Sequence, residues 1–193
     1  MGFWRRHKGP GPGHQDAAKQ IELGLHYYSL TGGDRGRNLQ RSIEYFTEAL
    51  RSFTAEAAPN EYAWIQNNLG VAYYQLPTGD RAANLQKAIG YFTEALRFRT
   101  AETAPLDYAI TQNNLGRAYG ELPAGDRAAN LQKAIGCFTE ALRFYTAEAT
   151  PADYAATQSN LGVAHFWLPA GDRAANLQKA IGCFTEALRV PDG

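Results

Sequence analysis

Apolar residues recur at helical spacing along most of this chain, and the pattern itself recurs. Between Asp107 and Leu122, the residues Ile110, Leu115, Ala118 and Tyr119 fall at helical intervals among Gln112, Asn113 and Asn114. This predicts a helix from about Pro105 to Glu121, with Pro105 in its first turn and Pro123 marking its end. Beyond a turn-like stretch from Leu122 to Asp126, a broad apolar stripe of Leu131, Ala134, Ile135, Phe138, Ala141 and Leu142 predicts a second helix over about 131–147, with Asn130 as its cap. Small residues at Gly116, Ala134 and Ala141 let the two helices approach closely, while Tyr119 and Phe138 fill wider gaps.

The same arrangement returns every 46 residues, marked by Gly33-Asp34-Arg35, Gly79-Asp80-Arg81, Gly125-Asp126-Arg127 and Gly171-Asp172-Arg173. First (A) helices are expected near 16–30, 60–76, 106–121 and 152–168, and second (B) helices near 39–55, 85–101, 131–147 and 177–189. Units of this kind cannot bury their apolar faces alone and stack on their neighbours, so the expected fold is all-α, a solenoid of four antiparallel helix pairs. The units span about 16–59, 60–104, 105–150 and 151–189, with a basic Gly/Pro tail over 1–15 and a short tail over 190–193. In the fourth unit, Thr150 three residues before Asp153 has capping-box spacing. The Gly-Asp-Arg loops have two readings. In one, glycine allows the turn, the aspartates bond nearby amides and the arginines bridge units; in the other, the loops form a polar row that touches a partner. Residues 125–143 and 171–189 are identical, which favours regular packing and also register exchange between molecules.

Composition narrows the function. Nineteen Lys plus Arg balance nineteen Asp plus Glu, so nucleic acid is not the expected partner. Apolar runs are short and interrupted by polar residues, so no membrane span is expected. Cys137 and Cys183 occupy equivalent positions in neighbouring units, roughly 10 Å apart in a stacked array, which is too far for a disulfide. They read as thiols of a reducing, cytoplasmic compartment. The segment from Met1 to His14 lacks the apolar core of a secretory signal. It reads as a flexible tail, or as a weak anchoring arm using Trp4 and its basic neighbours. Catalytic signatures are missing: there is no zinc spacing, phosphate-binding loop, dinucleotide fingerprint or Ser-His-Asp order, and neither a cofactor nor a metal is expected.

The string Asn114-Leu115-Gly116-x-Ala118-Tyr119, followed by Ala134-Ile135, Phe138, Ala141-Leu142 and Pro151, resembles the tetratricopeptide repeat. The usual unit there has 34 residues, and the twelve extra divide between the inter-helix loop and a longer second helix with its turn. The chain is similar to long-unit arrays in multidomain bacterial signalling proteins, some beside caspase-like peptidase domains, although no peptidase motif occurs here. The resemblance implies a right-handed superhelix whose A helices line a concave groove. Its groove positions fall on Trp64, Asn67, Asn68, Val71 and Tyr74, on Ile110, Asn113, Asn114, Arg117 and Gly120, and on Ala156, Ser159, Asn160, Val163 and Phe166. Amides beside aromatic and aliphatic side chains suit an extended peptide or a partner helix. Arg117 reads either as a contact for an acidic group or as an ion-pair partner of Glu121 one turn later. The family's carboxylate clamp, which needs several Lys or Arg alongside Asn, is not reproduced, so binding to chaperone tails is not expected. His26 and His165 replace residues expected near the core and read as packed, hydrogen-bonded imidazoles. The last helix pair carries no extra polar helix, and the apolar flank this would leave implies a missing downstream segment, shielding by another chain, or end-to-end self-association into oligomers or filaments.

Overall fold

The computed structural model describes residues 12–189. Among the described residues eight helices follow in order: α1 (Pro12–Ser29), α2 (Arg35–Ala49), α3 (Pro59–Gln75), α4 (Arg81–Ala95), α5 (Pro105–Glu121), α6 (Arg127–Ala141), α7 (Pro151–Trp167) and α8 (Arg173–Leu188). They pack as four antiparallel pairs, and each B helix then meets the A helix of the next unit, giving a right-handed solenoid. The expectations for Met1 to Gly11, including the anchoring arm at Trp4, and for Val190 to Gly193 lie outside the described residues.

The A helices fall close to their expected bounds, with Pro59, Pro105 and Pro151 in the first turn, where a missing N–H costs nothing. The first helix begins at Pro12, four residues before the expected start at 16. The B helices differ more: each starts about four residues earlier than its apolar stripe, and α2, α4 and α6 stop about six residues sooner than expected, whereas α8 runs to within about one residue of its expected end. Asp126, not Asn130, caps α6, its Oδ1 accepting from the N–H of Ala128 at 2.8 Å and of Ala129 at 3.3 Å. Gly125 before it sits at φ +81°, a left-handed conformation that glycine adopts without strain and that aims the chain into the helix. Asn130 is buried inside the helix, and its amide donates to the Ala124 carbonyl at 2.8 Å, tying the loop to the helix it precedes. The early stop comes from a tightened last turn, where Arg143 and Phe144 donate to carbonyls only three residues back. Tyr145 then turns inward and is buried. The Thr150 capping box does not form, because its hydroxyl bonds to the backbone of Thr146 within the preceding turn.

Each pair is locked by a ring against a glycine. Phe46, Phe92, Phe138 and Phe184 of the B helices lie over Gly24, Gly70, Gly116 and Gly162, where a Cβ would come within 2.5–2.8 Å of the ring. Junctions between units are less uniform. Phe53 and Ile65 share an apolar cluster at the first junction, whereas at the second the buried Arg99 donates to Thr111 Oγ1 at 3.1 Å and lies 3.7 Å from Asp107. Burial holds the Arg99 guanidinium below its ordinary pKa, and Asp107 opposes that shift.

The histidines depart from expectation. His26 is exposed, lying edge-on to Tyr27. His165 is half-buried, but its Nδ1 has no hydrogen-bond partner among the described residues. Burial, then the nearby Lys179, pushes its pKa below the ordinary imidazole value.

Candidate functional site

Helices α3 and α5 touch directly, as do α5 and α7, while each B helix packs mainly between A helices. Helices α3, α5 and α7 thus form a layer in which successive units touch directly. Every residue expected in the groove belongs to these three helices, but they meet different surroundings.

Much of the expected amide ladder is spent inside the protein. Asn67 is buried and its Oδ1 accepts from Asn114 Nδ2 at 3.4 Å. Asn68 Nδ2 donates to the Trp64 carbonyl at 2.8 Å, and Asn113 Oδ1 accepts from Thr157 Oγ1 at 3.3 Å. Trp64 is half-buried, its ring edge-on to Phe46, and Val71 packs against the second core cluster. The Asn67–Asn114 and Asn113–Thr157 bonds hold one A helix to the next, while Asn68 bonds within its own helix and Trp64 packs on α2. Ser159 and Asn160 make no side-chain hydrogen bond among the described residues. The residues that face outward are Ile110, Arg117, Ala156, Val163 and Phe166.

The arginine alternatives resolve against an Arg117–Glu121 pair. Arg117 lies 4.6 Å from the centroid of the Tyr74 ring in the preceding unit, as a cation over an aromatic face. Glu121 instead accepts from the Tyr74 hydroxyl and pairs with Arg81 at 2.5 Å. Burial, then this bond to Glu121, raises the Tyr74 pKa above its ordinary value. The loop arginines follow one rule in part. Arg35, Arg81, Arg127 and Arg173 each donate to a carbonyl seven residues back, closing their own hairpin. Arg35 also reaches Gln75, and Arg81 reaches Glu121, in the next unit. Trp167 occupies the corresponding position of the next unit, and Arg127 makes no such bridge among the described residues.

Tyr74, Arg117, Gly120, Glu121, Arg127, Asn160 and Val163 line a cleft of about 210 Å³ whose walls also include Leu131 and Phe138 of α6. The opening has a cause visible in the register. Tyr74, Gly120 and Phe166 occupy the same position of successive A helices, so the middle one lacks the ring its neighbours carry. Gly120 has neither a positive φ nor a crowded Cβ site, the nearest atom being Ala134 Cβ at 3.9 Å. The backbone does not require glycine there, and its effect is to leave space. Sequence reasoning missed Arg127 and Glu121 as cleft residues. The available signal was the series Gln75, Glu121, Trp167, which changes the partner offered to each loop arginine.

Such a face, made of stacked helix pairs with a cleft on the A-helix layer and no cluster of three or more metal-ligating side chains among the described residues, defines a helical-repeat solenoid. The Sel1 repeat model matches residues 20–52, 66–97, 109–143 and 155–189. The chain belongs to the Sel1 repeat family, whose fold is related to the tetratricopeptide repeat but distinct from it. A crystal structure of BtubC (BKLC) from P. vanneervenii is similar in fold, with a TM-score of 0.61 at 22% identity over 93% of this chain and 73% of that one. A search of curated proteins finds no match. No helix among the described residues is long and apolar enough to cross a membrane.

Proposed function

We propose that this chain is a non-catalytic interaction module that binds an extended peptide or a partner helix of another protein along α3, α5 and α7. One observation carries the reading: the cleft on the A-helix layer, beside the outward-facing Ile110, Val163 and Phe166. Solvated apolar side chains around a recess give a partner's side chains area to bury, and the unbonded Asn160 amide offers both a donor and an acceptor to main chain. The tetratricopeptide-like groove positions support the same face, with Trp64, Asn67, Asn68, Asn113 and Asn114 as its frame. A peptide array probed with the intact chain and with a Val163→Asp, Phe166→Asp variant of unchanged helicity tests it. Binding lost in the variant places recognition on this face; equal binding moves it elsewhere.

Self-association is a second reading, favoured by α8. Ile181 and Leu188 are 65% and 85% exposed there, while the equivalent Ile135 and Leu142 are half-buried against α7 and its neighbours. Light scattering across a concentration series tests it: a constant monomer mass at high concentration removes it.

A further inference from the structure

We propose that the cleft selects a peptide with an internal Asp or Glu side chain, held by Arg117 and Arg127, with apolar residues beside it on Val163 and Phe166. The inference rests on the groove reading and adds the chemistry of the ligand. Three observations carry it. First, the cleft is cationic: Glu121 is already engaged by Arg81 and Tyr74, while neither Arg117 nor Arg127 has a carboxylate within 4.0 Å among the described residues. Second, these two arginines are held in place without being neutralised, one on the Tyr74 ring and the other on the Gly120 carbonyl at 2.6 Å. Held guanidiniums lose little freedom on meeting a carboxylate, and their N–H groups are the donors a carboxylate accepts. Third, Gly120 leaves the room between them that an aromatic side chain occupies in the neighbouring units. An internal side chain is preferred to a chain terminus because α3 and α7 flank α5 on either side in the same layer, so a bound chain can pass the cleft in both directions.

The test uses the whole chain and two fluorescent peptide libraries with Leu or Phe flanking a central position. One library carries Asp or Glu at the centre, and the other carries Asn or Gln. Acidic-centred peptides are expected to bind at least about tenfold tighter, to lose about tenfold with Arg117→Ala, and to weaken as salt is raised. Arg127→Ala should act likewise, with Arg35→Ala as its control, because that change removes the same hairpin bond in the first unit, away from the cleft and from Phe166. Arg117→Glu should reverse the preference toward Lys-centred peptides. Gly120→Phe, which closes the cleft, should abolish the preference while helicity is retained. If acidic and neutral peptides bind equally, or if Arg117→Ala and Gly120→Phe leave the preference intact, the groove reading stands and this inference falls. If neither library binds, both fall.

Discussion

Two glycine-to-alanine changes in one unit should move stability in opposite directions. At Gly116 on α5 the added Cβ would lie 2.6, 2.8 and 3.0 Å from three ring atoms of Phe138. That ring is 2% exposed and packed among Leu131, Leu161 and Ala164, so moving it disturbs the core between α6 and α7. Overpacking of this kind costs about 1–3 kcal/mol, and contacts this short belong at the upper end. Alanine returns about 1 kcal/mol through helix propensity, so Gly116→Ala should lose about 2 kcal/mol net. At Gly136 on α6 nothing lies within 4 Å of the same methyl, so only the propensity term remains, a gain of about 1 kcal/mol. For a chain of this size those values correspond to roughly 6 °C down and 3 °C up in Tm. Urea and thermal unfolding of the intact array by far-ultraviolet circular dichroism measure both, and agreement of the two transitions checks that the array unfolds as one unit. Adding Phe138→Ala to Gly116→Ala should cost less than the sum of the separate changes, because the new methyl then has space. Equal signs for the two glycine changes, or simple additivity of the double variant, would refute the ring-on-glycine account.

Other perturbations follow from the same geometry. Asp126→Ala removes the acceptor for two amides at the start of α6 and should cost about 1 kcal/mol, with Asp126→Asn retaining most of it, as read by urea unfolding. Replacing Arg99 and Thr111 together by Phe and Ile, which copies the first junction, should be neutral or stabilising, whereas Arg99→Ala alone should destabilise by leaving a cavity beside the Thr111 hydroxyl, which keeps only its bond to the Asp107 carbonyl at 2.8 Å. Burial, then the nearby Glu140, pushes the Cys137 thiol up to about 11, so its alkylation rate should keep rising through pH 10, while the unfolded chain levels off near pH 9. Because the folded pKa is the higher one, the native state keeps its proton longer. The stability this gives is present below about pH 9 and is lost as pH rises toward 11, which a pH series of unfolding curves reads.

The period and the eight helices were legible because each is a local pattern repeated four times. The ring-on-glycine contacts were legible only in part: Gly116 reads as a close-approach position, but Phe138 reads as filling a wider gap, whereas its ring lies on that glycine. The boundaries of the B helices were not legible, for two separate reasons. Their first turn, such as Arg127-Ala128-Ala129, faces away from the apolar stripe, so periodicity begins at Leu131 although the helix begins at the Asp126 cap. At the other end Phe144 and Tyr145 continue the apolar spacing after the backbone has tightened out of the helix. The amide ladder was legible as a set of positions but not as a set of roles. Whether an asparagine faces a ligand or a neighbouring helix depends on the distance between units, and here Asn67 and Asn114 lie close enough to bond each other.

The cleft shows why near-identical repeats can still carry a specific site. Arg81, Arg127 and Arg173 occupy the same position of three loops, and each closes its own hairpin on a carbonyl seven residues back. What differs is the unit that stacks next. Glu121 neutralises Arg81, whereas Trp167 leaves Arg127 uncompensated, and Gly120 opens the space beside it. The repeated B helices, with residues 125–143 and 171–189 identical, fix the spacing at which such differences are compared. A substitution in an A helix therefore acts across the junction on a loop whose own sequence has not changed. Replacing Trp167 with Glu should supply Arg127 with the partner that Arg81 has, and so weaken acidic-peptide binding without altering any cationic residue of the cleft.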